Sequence, residues 1–276
     1  MKKIDIHCHT THRDLRNRGM SLATIPALTA EMDRHDVSLT VLLATYFPQS
    51  GSGISNFRLL DWIHVNPRFR MFGSLDMQHY FYQGYNELEE LAAQKKIAGI
   101  KFYTGYQEID LASSRFRDLV NLAHLHRLPL MFHTGYTRGA FTTSGRIAYT
   151  QAVKASDLKF LSSITDVPVI LSHMTNPAFD DLRETCKHQH SFYTDVSGLI
   201  DSRQYQHEIP MLVEEVRRFA EEVGPQQLLF GTDFPVQTHE DSIRFVEEGM
   251  RNFSLTDKQR VYYGNAEYIL GGAYGK

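Results

Sequence analysis

The sequence predicts an α/β chain folded as a single (β/α)8, or TIM, barrel with an extra helix at its carboxyl end. Three observations predict it. Apolar runs rich in β-branched residues recur eight times, with amphipathic stretches between them, which is the pattern of β-α units around a parallel sheet. The length, 276 residues, suits eight such units and a sizeable core. The first run leads into His7-Cys8-His9-Thr10-Thr11-His12, the opposite of the glycine-rich turn that opens a doubly wound sheet, the competing parallel architecture.

The elements follow in order. Lys3-Ile4-Asp5-Ile6-His7 is the first strand, and residues 24–35 form the helix after it. Strands at 38–44 and 69–75 are β-branched or aromatic, with a helix at 56–65 between them and another at 85–95 beyond. A strand at 98–103 and a helix at 114–126 precede a strand at 128–133 and a helix at 157–164. The strand at 167–173 leads to Asn176 and Pro177, which read as N-cap and first turn of a helix to 186. A strand at 191–196 and a helix at 210–223 end at the stop signal Gly224-Pro225. The last strand, 227–232, is followed by helices at 240–251 and 256–270, the final one expected to pack across the barrel. No compositional break or low-complexity linker divides residues 1–276, so one domain is expected.

Composition narrows the function. A net charge of -3 gives no basic footprint for nucleic acid. Lys2 and Lys3 are followed by no apolar signal region, and no stretch approaches the ~18 apolar residues of a membrane span. A soluble cytoplasmic protein is expected, with Cys8 and Cys186 reduced. Cys8 reads as a small buried hydrophobe, not a nucleophile. Gly-x-Ser-x-Gly is absent, which disfavours a serine hydrolase, and the glycine-serine loop at 49–53 lacks the Lys-Thr or Lys-Ser of a phosphate-binding loop.

Histidine is the anomaly, with 14 copies, several at strand ends. Strand alternation puts His7 and His9 on one face and Ile4, Ile6 and Cys8 on the other. Lys101, His133, His173 and Asp233 end the fourth, fifth, sixth and eighth strands. In a barrel these ends share one mouth, so four histidines and an aspartate converge on a site suited to a divalent transition metal.

The motifs DIHCH at 5–9, GIKFY at 99–103, MFHTG at 131–135, LSHMTNP at 171–177, YTDVSG at 193–198, GTDFP at 231–235 and GNAEYIL at 264–270 together carry a resemblance. The chain resembles the amidohydrolase superfamily, in the branch of aminocarboxymuconate semialdehyde decarboxylase, related aromatic-acid decarboxylases and lactone hydrolases. The resemblance implies that His7, His9, His133 and Asp233 hold one divalent metal, zinc first and manganese second, with His173 facing the substrate. Binuclear members of the superfamily carry a carboxylated lysine at the position of Lys101. The branch implies the mononuclear form, with Lys101 as a plain ammonium near an anionic group.

Such a site lowers the pKa of water towards ~7 and makes it a nucleophile. Asp233 then moves the proton and His173 stabilises the oxyanion, giving a hydrolase of a small lactone, ester or amide. The alternative is a non-oxidative decarboxylase, in which a carbon atom receives the proton. A non-catalytic barrel is disfavoured, because structural zinc sites are closed and rich in cysteine. Arg13, Arg138 and Arg146 in the mouth loops suggest an anionic small-molecule substrate, with Tyr103 and Tyr106 as further contacts. The aromatic run at 78–82 either walls the pocket or packs on the barrel. A homodimer is the default assembly.

Overall fold

A computed structural model of the protein describes residues 1–11, 16, 19–47, 52–138, 149–151 and 153–273. Eight parallel strands form the barrel: β1 (Lys3–Cys8), β2 (Val37–Leu43), β3 (Phe69–Phe72), β4 (Ile100–Phe102), β5 (Leu130–Phe132), β6 (Val169–Leu171), β7 (Phe192–Asp195) and β8 (Leu228–Leu229). β1 to β3 pair in order, as do β4 to β8. Two seams close the circle. Ala98 N donates to Met71 O (2.7 Å) and Lys101 N to Gly73 O (2.8 Å), joining β3 to β4. Ile6 N donates to Phe230 O (3.1 Å) and Asp233 N to His7 O (2.7 Å), joining β1 to β8.

Buried Asp5 reinforces the second seam. Its Oδ1 accepts from His7 N (3.1 Å) and Thr232 N (3.0 Å), and its Oδ2 accepts from Thr232 Oγ1 (2.6 Å). Burial nevertheless pushes its carboxyl up to about 7.

Outside the barrel lie α1 (Ile25–Arg34), α2 (Asn56–Ile63), α3 (Phe81–Ala93), α4 (Ser114–His126), α5 (Phe179–His188), α6 (Ile209–Glu222) and α7 (His239–Gly249). Side-chain caps from Ser55, Ser113 and Thr238 start α2, α4 and α7. Leu28, Leu59, Leu119, Leu182, Val216 and Phe245 belong to the larger apolar cluster, together with Cys8, Leu42, Phe132 and Phe192 from the strands. A smaller cluster gathers Ile4, Ile6, Val41, Phe72, Met131, Ile170 and Leu229 with Ala266, Ile269 and Leu270. The chain therefore ends across the barrel as expected, through α8 (Leu255–Gln259), a π-turn at Arg260–Gly264 and α9 (Asn265–Ala273).

Several local expectations are corrected. β1 does not alternate strictly: Ile4 and Ile6 join the inner cluster and Cys8 the outer one, because pairing with β2 shifts register between Asp5 and Cys8. The stretch expected as a helix at 157–164 is the 3-10 helix Ser156–Ser163. Asn176 is not an N-cap, since α5 starts after Ala178 and Asn176 Nδ2 donates instead to Leu199 O at 3.4 Å. Two unforeseen antiparallel hairpins, Thr45–Phe47 with Ser52–Ile54 and Tyr136–Arg138 with Tyr149–Gln151, follow β2 and β5. In the aromatic run, Phe81 is buried, whereas Tyr80 and Tyr82 are exposed. Both cysteines are free and buried. No helix among the described residues is long and apolar enough to cross a membrane.

The β1–β8 seam yields a stability test. Thr232→Val keeps the shape but removes the hydroxyl that donates to Asp5 Oδ2 and accepts from Phe234 N. We expect a loss of roughly 1–3 kcal/mol in urea unfolding, the cost of buried polar groups left unpaired. An unchanged midpoint and slope would remove Asp5 and Thr232 from the account of closure.

Candidate metal centre

Closure brings the two ends of the chain together at the carboxyl face. His9 Nε2 lies 3.1 Å and His7 Nε2 3.5 Å from Asp233 Oδ1. The turn that delivers Asp233 needs a left-handed backbone, φ 57°. His173, Met174 and Thr175 are left-handed too, at 62°, 47° and 55°. Three successive non-glycine residues there store strain that local bonds must hold. They include His173 N to Asp195 Oδ1 (3.0 Å), Asn176 N to His173 O (3.0 Å) and the Thr134–Thr175 hydroxyl pair (3.2 Å).

Asp195, at the end of β7, is the residue that reading the sequence missed. It is fully buried, and its Oδ2 accepts from His7 Nδ1 at 3.1 Å. Its Oδ1 accepts from Ser197 N (3.1 Å) and Ser197 Oγ (2.5 Å). Burial works against its charge, but His7, His173 and Ser197 draw the carboxyl down to about 2. Its position in YTDVSG, at a strand end like the other candidates, was the available signal.

Proton counting tests whether a cation fits. Burial and the Lys101 charge push His7 down to about 3 against the pull of Asp195 and Asp233, so His7 is neutral. Its one ring proton is on Nδ1, facing the Asp195 carboxylate, so Nε2 is an acceptor aimed at Asp233 Oδ1, another acceptor. Burial works against the Asp233 charge too, but the hydrogen bond with His9 and the surrounding histidines hold it well below the usual carboxylate range. Two acceptors facing each other offer a place for a cation between them. A carboxylate holding a ligand imidazole by its other nitrogen is also the usual outer support of a metal site.

His133 stands beside this group. Its Nδ1 is 3.1 Å from His173 Nε2 and its Nε2 is 3.3 Å from Tyr136 O, while His173 Nδ1 is 2.9 Å from Ser197 O. Those three contacts need three protons, and two neutral rings carry two. Burial lowers both pKa values, so at least one nitrogen of the pair is left with an open lone pair. At this mouth, two groups of donors lie within 4.8 Å of one another: His7, His9 and Asp233, and separately His7, His173 and Asp195. The donor set, imidazoles with a carboxylate, fits a divalent metal.

A cavity of about 360 Å³ opens over His133, His173 and Asp233, walled by Tyr106, Tyr136, Tyr205, Asn176 and Glu208. Gly198 forms part of it, and a Cβ there would lie 2.6 Å from Asp233 Oδ2 and 2.7 Å from His173 Nδ1. Tyr103 stands behind this wall, its hydroxyl donating to Ala44 O at 2.9 Å. Lys101 is buried, donates to Ser172 Oγ at 2.8 Å and lies over the Tyr103 ring. Burial lowers it to about 7, against the pull of Asp195 and Asp233. Arg13 and Arg146 lie outside the described residues, as does the Arg138 side chain at the end of its hairpin strand.

The buried histidines make the metal-stripped protein acid-sensitive. His7, His133, His173 and His239 all have folded pKa values below their unfolded one, so the unfolded chain takes up more protons below pH ~6.5. Each removes up to ~1.4 kcal/mol per pH unit there. Asp5, raised to about 7, works in the opposite direction, but it is one group against four. The urea midpoint should fall steadily from pH 6.5 to 4. A flat profile would mean that these rings are not held neutral.

An amidohydrolase family model matches residues 4–272. No curated protein sequence matches the chain. Among solved structures, a probable 2-pyrone-4,6-dicarboxylic acid hydrolase of Acinetobacter baumannii with citric acid bound is similar at 18% identity, covering 98% of this chain and 100% of that one, with a TM-score of 0.71. A zinc-bound amidohydrolase of Burkholderia multivorans is similar at 16% identity and TM-score 0.73, covering 98% and 99% of the two chains. A dihydroxybenzoic acid decarboxylase of Polaromonas, with manganese and 2-nitroresorcinol bound, is similar at 16% identity and TM-score 0.67, covering 98% and 96%. The motifs, the closed barrel and the match over nearly its whole length agree: the chain belongs to the amidohydrolase family.

Proposed function

We propose that the protein is a cytoplasmic, metal-dependent hydrolase of a small lactone, ester or amide. The observation that carries this reading is the pair of imidazoles, His7 and His9, facing the Asp233 carboxylate beneath an open cavity. His7, His9, His133 and Asp233 would hold one divalent ion, zinc first and manganese second. A bound ion of this kind supplies Lewis acidity and lets water ionise near neutral pH.

Asp233 stays charged across the working pH range and has a second oxygen beside Gly198, at the cavity. It takes the proton of the attacking water and delivers it to the leaving oxygen or nitrogen. His173 turns Nε2 away from Ser197, towards His133, and in its neutral form accepts through that atom. It therefore stabilises a developing oxyanion only after taking a proton, acceptor first and donor second. Lys101 is proposed as an uncarboxylated amine, consistent with its bond to Ser172 and with a one-metal site.

An anionic substrate is also proposed. The described cavity lining includes no lysine or arginine, so this element rests on Arg13, Arg138 and Arg146 in the sequence. The three tyrosines of the cavity wall favour a second reading, decarboxylation of an aromatic acid, with the proton moved to carbon instead.

The test is a panel of lactones, esters and hydroxybenzoates given to zinc- and manganese-loaded protein, with acid release and carbon dioxide measured in parallel. Acid release that stops on chelation and returns with metal is expected. Asp233→Asn, with its metal content checked, should lose ~10²- to 10⁴-fold in rate. Carbon dioxide release alone would select decarboxylation, and undiminished activity in the chelated enzyme would end both readings.

A further inference from the structure

A second group of donors lies outside the barrel, between its first and last outer helices. Glu31 and His35 occupy the carboxyl end of α1, and Glu240 the first turn of α7. His35 Nε2 is 3.5 Å from Glu31 Oε2 and 3.2 Å from Glu240 Oε1, and the three donor atoms lie within 4.8 Å of one another. We propose that Glu31, His35 and Glu240 form a second divalent-cation site, of zinc-like chemistry, that clips α1 to α7.

A histidinium between two glutamates is the simplest competitor, and the geometry disfavours it. His35 Nε2 is a buried atom that makes no hydrogen bond, although two carboxylates stand this close. An N–H would point along the ring axis at one of them. Ligands that share a tetrahedral ion at ~2.0–2.1 Å are instead ~3.3 Å apart and stand ~35° off that axis, too oblique for a good hydrogen bond. The observed 3.2 and 3.5 Å match that spacing.

The surroundings support the same assignment. His239 is fully buried, neither ring nitrogen makes a hydrogen bond although Nε2 lies 3.8 Å from Asp5 Oδ2, and it stacks on His35 with 2° between the planes and 5.2 Å between centroids. The stack fixes the orientation of the His35 ring. Arg34 Nη1 lies 3.1 Å from Glu31 Oε1 and donates to Oε2 at 3.5 Å, which positions the Glu31 carboxylate beside His35, and Lys3 Nζ donates to His35 O at 2.8 Å. The carboxyl end of α1 adds a favourable dipole for a cation. One imidazole with two carboxylates and room for water suits zinc better than calcium, which takes six to eight oxygens.

This site is independent of the proposed activity, and its test needs no substrate. The full chain, stripped with chelator, is titrated with zinc chloride by calorimetry, and bound metal is counted by elemental analysis after desalting. Two equivalents are expected for the parent. Glu240→Ala and His35→Gln should each bind one fewer with unchanged circular dichroism, and should lose part of the zinc-dependent rise in Tm. Glu240 is 60% exposed, so its variant should fold even if His35→Gln does not. A folded Glu240→Ala that binds as many equivalents as the parent, whatever the parent's total, overturns the proposal.

Discussion

Barrel closure between β1 and β8 is the constraint on which the rest depends. The candidate ligands from β1 and the aspartate after β8 come from opposite ends of the chain, and only closure makes them neighbours. Asp5 does this work with one carboxylate that accepts from His7 N, Thr232 N and Thr232 Oγ1. The group that braces the seam sits two residues before the first candidate ligand, so fold and site share the same few atoms. The further site between α1 and α7 spans the helices that flank the same seam.

Electrostatics then decides what the convergence is for. Asp195 fixes the Nδ1 proton of His7, and the consequence is an acceptor turned on an acceptor at Asp233. Uncompensated, this arrangement would be costly in a buried site. A divalent cation turns the same geometry from a liability into a binding site. The left-handed run at His173 to Thr175 has a similar logic, since the Asp195 bond to His173 N helps to hold strain that lets His173 reach the centre.

Much of this was legible in the sequence. All eight strands follow from apolar runs, as do their helices apart from the 3-10 stretch Ser156–Ser163, and Lys101, His133, His173 and Asp233 lie in or soon after the strands where they were expected. Strand lengths were overestimated near the mouth: β6 stops at Leu171, because His173 and the residues after it leave the extended region. Strict alternation in β1 failed because a register shift is a property of two paired strands, which one strand's sequence does not reveal. Tyr103 read as a pocket residue from its place after Lys101, but the distant Ala44 carbonyl occupies its hydroxyl. Asp195 was missed because supporting carboxylates carry no spacing signature of their own. The Glu31, His35 and Glu240 group joins residues more than two hundred positions apart, and only the closed barrel brings them together.

The central claim is that the β1–β8 seam builds a cation site from His7, His9 and Asp233. Anomalous diffraction at the zinc edge, from crystals of zinc-loaded protein, tests it most directly. The account predicts a peak ~2.0–2.2 Å from His7 Nε2, His9 Nε2 and an Asp233 oxygen, with His7 Nδ1 still bonded to Asp195. No peak at that position, with His7 Nε2 protonated and bonded directly to Asp233, would contradict it.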